Sequence, residues 1–205
     1  GMDKAARHSQ KRMREIERQA KMLGKAIAGA MTAAVGTIVF QVRGYINEMD
    51  RVAKASQAIG LTVEQLSALE YAAGLAGVSN ESLATSLQRL ARGMNDAAMG
   101  TGEAVDAFTA LDVAFKNSDG TLRGSEDVLK DVADRFANME DGAEKTALAM
   151  DLFGRSGAQL IPLLNQGSAG IEELTAEAER LGLVMDTQAA KSAEEFNDNL
   201  RRLNL

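Results

Sequence analysis

Pro162 is the only proline in 205 residues, and that scarcity leaves the chain few ways to be anything but helical. Proline breaks helix interiors and is barred from central strands. Where it is missing, and alanine, leucine, glutamate and lysine are plentiful, long helices meet no obstacle. Hydrophobic residues make up 45% of the chain but aromatics only 4%, with no tryptophan, so the core must be built of Leu, Ala, Val, Ile and ten Met. The expected fold class is all-α with at most one small β-hairpin. The length suffices for one sizeable core with an appendage.

The apolar pattern divides that expectation into parts. Met13, Ile16, Ala20, Leu23, Ile27, Met31, Val35, Ile38, Val42, Tyr45, Ile46 and Met49 recur at steps of three and four. A seam this long, with no strong stop before Gly60, suits a long helical or coiled-coil arm over residues 2–59. Within it, Ala26 to Val42 carries no charge, and Gly29, Ala33 and Gly36 offer a small-residue face for self-association or membrane insertion. Residues 60–186 read as a compact module of short helices. Thr62 and Ser79 or Asn80 are caps, Leu66, Leu69 and Ala73 face inward, and Leu83, Leu87, Leu90 and Met94 share a face. The turn Asn117–Gly120 is the only hairpin signal. Ser125 should cap a helix through Val128, Leu129, Val132 and Phe136. From 187 a further helix keeps its period to Leu205, which reads as the start of an element belonging to a longer chain. Gly1 before Met2 resembles a remnant of tag cleavage.

Charge and residue types exclude several function classes. Residues 1–25 carry a net +5 and residues 26–205 a net −11, a basic arm before an acidic body. There is no cysteine, and the single histidine, His8, lies in the arm. Disulfide chemistry is excluded, and so is any His-based triad or metal site within one chain. The stretch "LFGRSG" invites a catalytic reading, but a nucleophile elbow needs Gly-x-Ser-x-Gly after a strand, and a phosphate loop needs Gly-Lys-Ser/Thr. The structural reading assigns Gly154 to a helix C-terminus, Ser156 to the next N-cap and Arg155 to a pair with Asp151. Pro162 falls in the next helix, in its first turn or at a kink. A calcium loop needs acids at alternating positions ending in a glutamate, and around "SDGTL" only Asp119 fits well. Glu172, Glu173, Glu177 and Glu179 read as a solvated face opposite Ile171, Leu174, Ala178 and Leu181. The pair of capped helices around "GVSN" imitates a helix-turn-helix, yet its second helix opens with Asn80, Glu81 and Ser82, so duplex binding is not expected. No catalytic residue, cofactor or metal is expected.

The stretches "ASQAIGLTVEQLSALEYAAGLAGVS", "LQRLARGMNDAAMGTGEAVDAF", "DGTLR", "VLKDVADRFANMEDGAEKTALAMDLFGRSGAQLIPLLNQG" and "AAKSAEEFNDNL" occur in this order. Together they resemble the N-terminal conserved region of phage tail tape measure proteins, which are minor tail proteins. The resemblance spans roughly residues 49–203, and residues 2–48 share only its character. Its most specific part holds Asp141, Gly142, Leu152, Phe153, Gly154, Arg155, Ser156, Gly157, Pro162, Asn165 and Gly167. These positions are expected to be structural. The resemblance implies a helical component lying in several copies in the lumen of the virion tail. Its expected partners are copies of itself, tail-tube and tail-tip proteins and tail assembly chaperones, in the host cytoplasm during assembly, with a host membrane a further partner at infection. Even fully helical, the chain would reach only about 300 Å at 1.5 Å per residue. The expected role is therefore docking or initiation at one end of a ruler. Two other readings compete: a holin- or toxin-like membrane-active protein working through residues 26–42, and a nucleic-acid binder using residues 4–25. A nucleic-acid partner is the weaker of these.

Overall fold

The computed structural model describes residues 35–193 and 195, with side chains from residue 44 onward. The basic arm, His8, Gly29 and Ala33 lie outside the described residues, as does the helix period from 196 to Leu205. Gly36 falls within the first described helix, α1 (Val35–Ile59). The chain divides into two compact units, one of Gly1–Lys54 with Met185–Leu205 and one of Ala55–Val184. In the first, Ile46, Met49 and Val52 are buried, as are Ala190 and Ala193 of the helix that starts at 187. Tyr45, counted in the same seam, is instead 40% exposed.

The second unit holds seven helices: α2 (Val63–Leu75), α3 (Asn80–Ala98), α4 (Ala104–Ala110), α5 (Ser125–Ala137), α6 (Ala143–Phe153), α7 (Gly157–Leu164) and α8 (Gly167–Arg180). No strand occurs among the described residues, so the protein is all-α. The hairpin signal at 113–123 yields one antiparallel bridge, Lys116 to Leu122. The chain reverses there because Asp119 Oδ1 accepts from the Thr121 amide at 3.0 Å and its hydroxyl at 2.6 Å. Those bonds hold the Asp119 carboxyl below its ordinary range.

The helices begin and pack for readable reasons. Thr62 and Gln65 form a reciprocal capping box on α2, and the Ser79 hydroxyl accepts from the Ser82 amide on α3. α2 lies against α8, α5 against both α8 and α7, α3 against α6, and α6 against α7. Leu66, Leu83, Leu87, Leu90, Phe136, Phe153 and Leu163 meet in the core. Burying such side chains supplies about 1.5–3 kcal/mol each.

Two expected features differ. Ser125 is the first residue of α5, not its cap. Gly124 stands at the N-cap, and the Ser125 hydroxyl donates to the Ile59 carbonyl at 3.0 Å. A buried acceptor at the end of α1 claims the hydroxyl, because an unsatisfied buried carbonyl costs more than an uncapped, solvated helix start. Leu181, expected inward on α8, is 58% exposed, since α8 ends at Arg180 and Leu181 leaves the helix period.

Candidate functional site

The most specific resemblance falls on the corner between α6 and α7. α6 buries Leu152 and Phe153 and stops at Gly154, where φ is 75° and ψ is −167°. That combination is open to glycine and almost nothing else, and it lies outside the left-handed helical region expected of a helix end. The chain then folds back so tightly that a Cβ on Gly157 would lie 2.0 Å from the Ala149 carbonyl oxygen. Gly157 is therefore the point at which the α6 and α7 backbones touch.

Ser156 occupies the N-cap position of α7 but gives no side-chain cap. Its hydroxyl sits 3.2 Å from that of Ser86 on α3, so the local rule again yields to a tertiary partner. Arg155 is exposed and forms no ion pair with Asp151, because the backbone turns at Gly154 and the helical i, i+4 relation is lost. Pro162 is exposed in the second turn of α7, not its first.

A polar strap closes the corner from outside. Asn165 Nδ2 donates to Asp141 Oδ1 at 3.3 Å, and Lys145 Nζ donates to the same oxygen at 2.8 Å. Hydrogen bonds from Lys145 and Asn165, then the Lys145 charge, hold the Asp141 carboxyl below its ordinary range. Lys145 itself is only 2% exposed and also donates to the Met139 carbonyl at 3.0 Å. Sequence reasoning missed this buried lysine, although Asp141 and Lys145 stand four apart. Gly142 is in extended backbone with open space around it, so nothing there demands glycine. Gly167 is buried at the start of α8, and the next amide, Ser168 N, donates to Asp134 Oδ1 at 2.7 Å. Of the eleven motif positions, Leu152 and Phe153 fill the core and Gly154 and Gly157 make the corner. Asp141 and Asn165 brace it, and Arg155 and Pro162 face solvent.

Beside the corner runs a groove of about 580 Å³, bordered by α3, the start of α4 and the end of α6. Gly154 lies under the stem of Arg89, whose Cγ would be 3.3 Å from a Cβ there. Arg92 and Arg155 line the same groove. Arg89 and Arg92 stand late in α3, the second helix of the apparent helix-turn-helix. Nothing in the sequence brings them beside Arg155, about sixty residues away.

Among the described residues, no three His, Cys, Asp or Glu side chains gather to hold a metal. No described helix is long and apolar enough to cross a membrane. The site is a packed, braced turn beside a charged groove, a geometry for holding helices and meeting other surfaces. That is the build of a structural helical module. Residues 2–154 match the family of phage-related minor tail proteins, three quarters of the sequence, and the chain belongs to that family. It is thus a structural component of phage tails. The matched span reaches further toward the N-terminus than the resemblance over 49–203, and it ends at Gly154, inside the corner. No curated protein and no solved structure matches the chain.

Proposed function

We propose that this chain is the docking module of a tape measure protein, the minor tail protein whose helical length sets the length of the tail. Membership of the minor tail family supports the reading. The observation that carries it is that residues 55–184 form a compact, many-cornered helical unit, while the seam before them has the unbroken helical period of a rod. A rod measures because its span scales with residue number, about 1.5 Å each. A body broken at Gly60, Gly77, Gly100, Gly154 and Gly182 cannot measure in that way, but it presents fixed surfaces. In this reading it anchors one end of the ruler in the tail lumen. There it meets tail-tip and tail-tube subunits, after assembly chaperones have kept the helical parts apart in the host cytoplasm.

In-frame deletions in the phage gene test this. Removing residues from rod segments outside 55–184 shortens tails by about 1.5 Å per residue, measured by electron microscopy. Removing 55–184 stops assembly instead of trimming it. Tails of unchanged length after rod deletions, or shortened but complete tails without the module, would count against the proposal.

A further inference from the structure

The unit Ala55–Val184 carries nine basic and twenty acidic side chains. Most of the basic ones are engaged. Arg123 pairs with Asp131, Lys130 with Glu126 and Glu172, Arg135 with Asp112 and Lys145 with Asp141, and Lys116 donates to the Ala98 carbonyl. Only Arg89, Arg92, Arg155 and Arg180 form no hydrogen bond or ion pair, and the first three line one groove. Asp96, Glu103 and Asp151 line it too, and their carboxylates are also without a hydrogen-bond or ion-pair partner. The groove therefore gathers three free guanidiniums and three free carboxylates in a body whose net charge is strongly negative.

We propose that this groove is a self-complementary contact through which two copies of the chain meet face to face. In a twofold contact, residue i of one copy meets residue j of the other and the reverse. A patch with equal numbers of both signs can then pair every arginine with a carboxylate of its partner. Elsewhere, two acidic bodies repel each other. The groove is a locally neutral stretch on which they can close without that cost. Uniform polyanions fit it poorly, because Asp96, Glu103 and Asp151 would face their phosphates. Guanidiniums offer the planar, two-pronged donor that carboxylates accept. Gly154 contributes by letting the Arg89 stem lie flat on the corner. The inference does not rest on the ruler reading and would stand without it.

Sedimentation of the whole chain, 21.8 kDa as a monomer, tests it. The wild type should dimerise reversibly and weaken as salt is raised, since screening shortens from about 10 Å at 0.1 M to about 3 Å at 1 M. Arg92→Glu with Arg155→Glu, both exposed positions, should weaken association by more than about tenfold. Adding Asp96→Arg and Asp151→Arg, which swaps the signs, should restore it. As a second readout, Met150→Cys places a thiol on the groove rim of a chain with no native cysteine. A bismaleimide should link it to a dimer, and the double Arg→Glu change should abolish the link. A wild type that stays monomeric, association that ignores the reversals, or linking that is absent or survives them would overturn the proposal.

Discussion

Gly157→Ala is the sharpest test of the corner. The added Cβ would lie 2.0 Å from the Ala149 oxygen, 2.7 Å from its carbonyl carbon and 3.0 Å from Phe153 Cβ. A carbon and a carbonyl oxygen meet comfortably at about 3.3 Å, so α7 must move by about an ångström. The obstacle is backbone, which cannot swing aside as a side chain would. α7 carries Leu160, Leu163 and Leu164 into the core, and α6 carries Phe153. Parting them forfeits contacts along both helices and costs about 3 kcal/mol, the upper end for overpacking. Alanine's better helix propensity returns at most about 1 kcal/mol. The net loss is about 2 kcal/mol, or about 8 °C in melting temperature for a module of this size. Thermal melts followed by far-ultraviolet circular dichroism read it directly. Gly74→Ala is the control of opposite sign: it lies in α2 with nothing within 4 Å of its Cβ. It should gain up to about 1 kcal/mol. If Gly157→Ala melts at or above the wild type, alongside Gly74→Ala, the account of why two glycines flank Arg155 and Ser156 is wrong.

Two further predictions concern the polar strap and the titrating groups. Lys145→Ala should cost about 3 kcal/mol in urea unfolding, by opening a cavity and orphaning the Met139 carbonyl. Lys145→Met, which keeps the volume, should cost only about 1 kcal/mol. The two costs being equal would show that packing of the stem does not matter. For pH, Asp119 and Asp141 have carboxyls held below the ordinary value of 3.8. Their contribution to stability is present above that value and is lost as pH falls through the lowered folded values. Lys130 runs the other way. Burial would lower it, but hydrogen bonds to Glu126 and Glu172 outweigh that and raise it above 10.5. Its contribution is present below 10.5 and lost as pH rises through the raised value. Asp141→Asn should flatten the acid limb and Lys130→Met the alkaline limb, and each should leave the other limb unchanged. An acid limb that Asp141→Asn leaves as steep as before would contradict the strap.

Much of this fold is written locally, and the exceptions share a cause. Helix seams such as Leu83, Leu87, Leu90 and Met94 are legible because burial at period 3.6 needs no knowledge of what lies opposite. The caps at Thr62 and Ser79 are legible because the hydroxyl and the amide it serves are three residues apart. Ser125 and Ser156 carry the same local signal and do something else. Ser125 donates to Ile59, 66 positions away, and Ser156 faces Ser86, 70 positions away. The competition is between a solvated helix end, where water can replace the cap, and a buried polar atom, where nothing can. Burial decides it, and burial is a property of the assembled fold, not of the neighbouring residues.

The same reasoning explains why the groove was illegible while the corner was not. Gly154, Arg155, Ser156 and Gly157 are contiguous, so a turn could be read from them without knowing where it sits. The groove exists because α6 sets Asp151, and that turn sets Arg155, against Arg89, Arg92 and Asp96 of α3. Its six charges would each be read singly as solvated surface, which is the right default for an isolated exposed charge. Their grouping, unpaired, in a body where most other cations of the unit are matched is what departs from that default. The corner and the groove are therefore one device: Gly154 and Gly157 fix how tightly α7 returns on α6, and that angle sets where Arg155 stands relative to α3. Loosening the corner by Gly157→Ala should then weaken self-association even though no groove charge is altered. Dimerisation that is unaffected in a folded Gly157→Ala protein would separate the two and leave the groove standing on α3 alone.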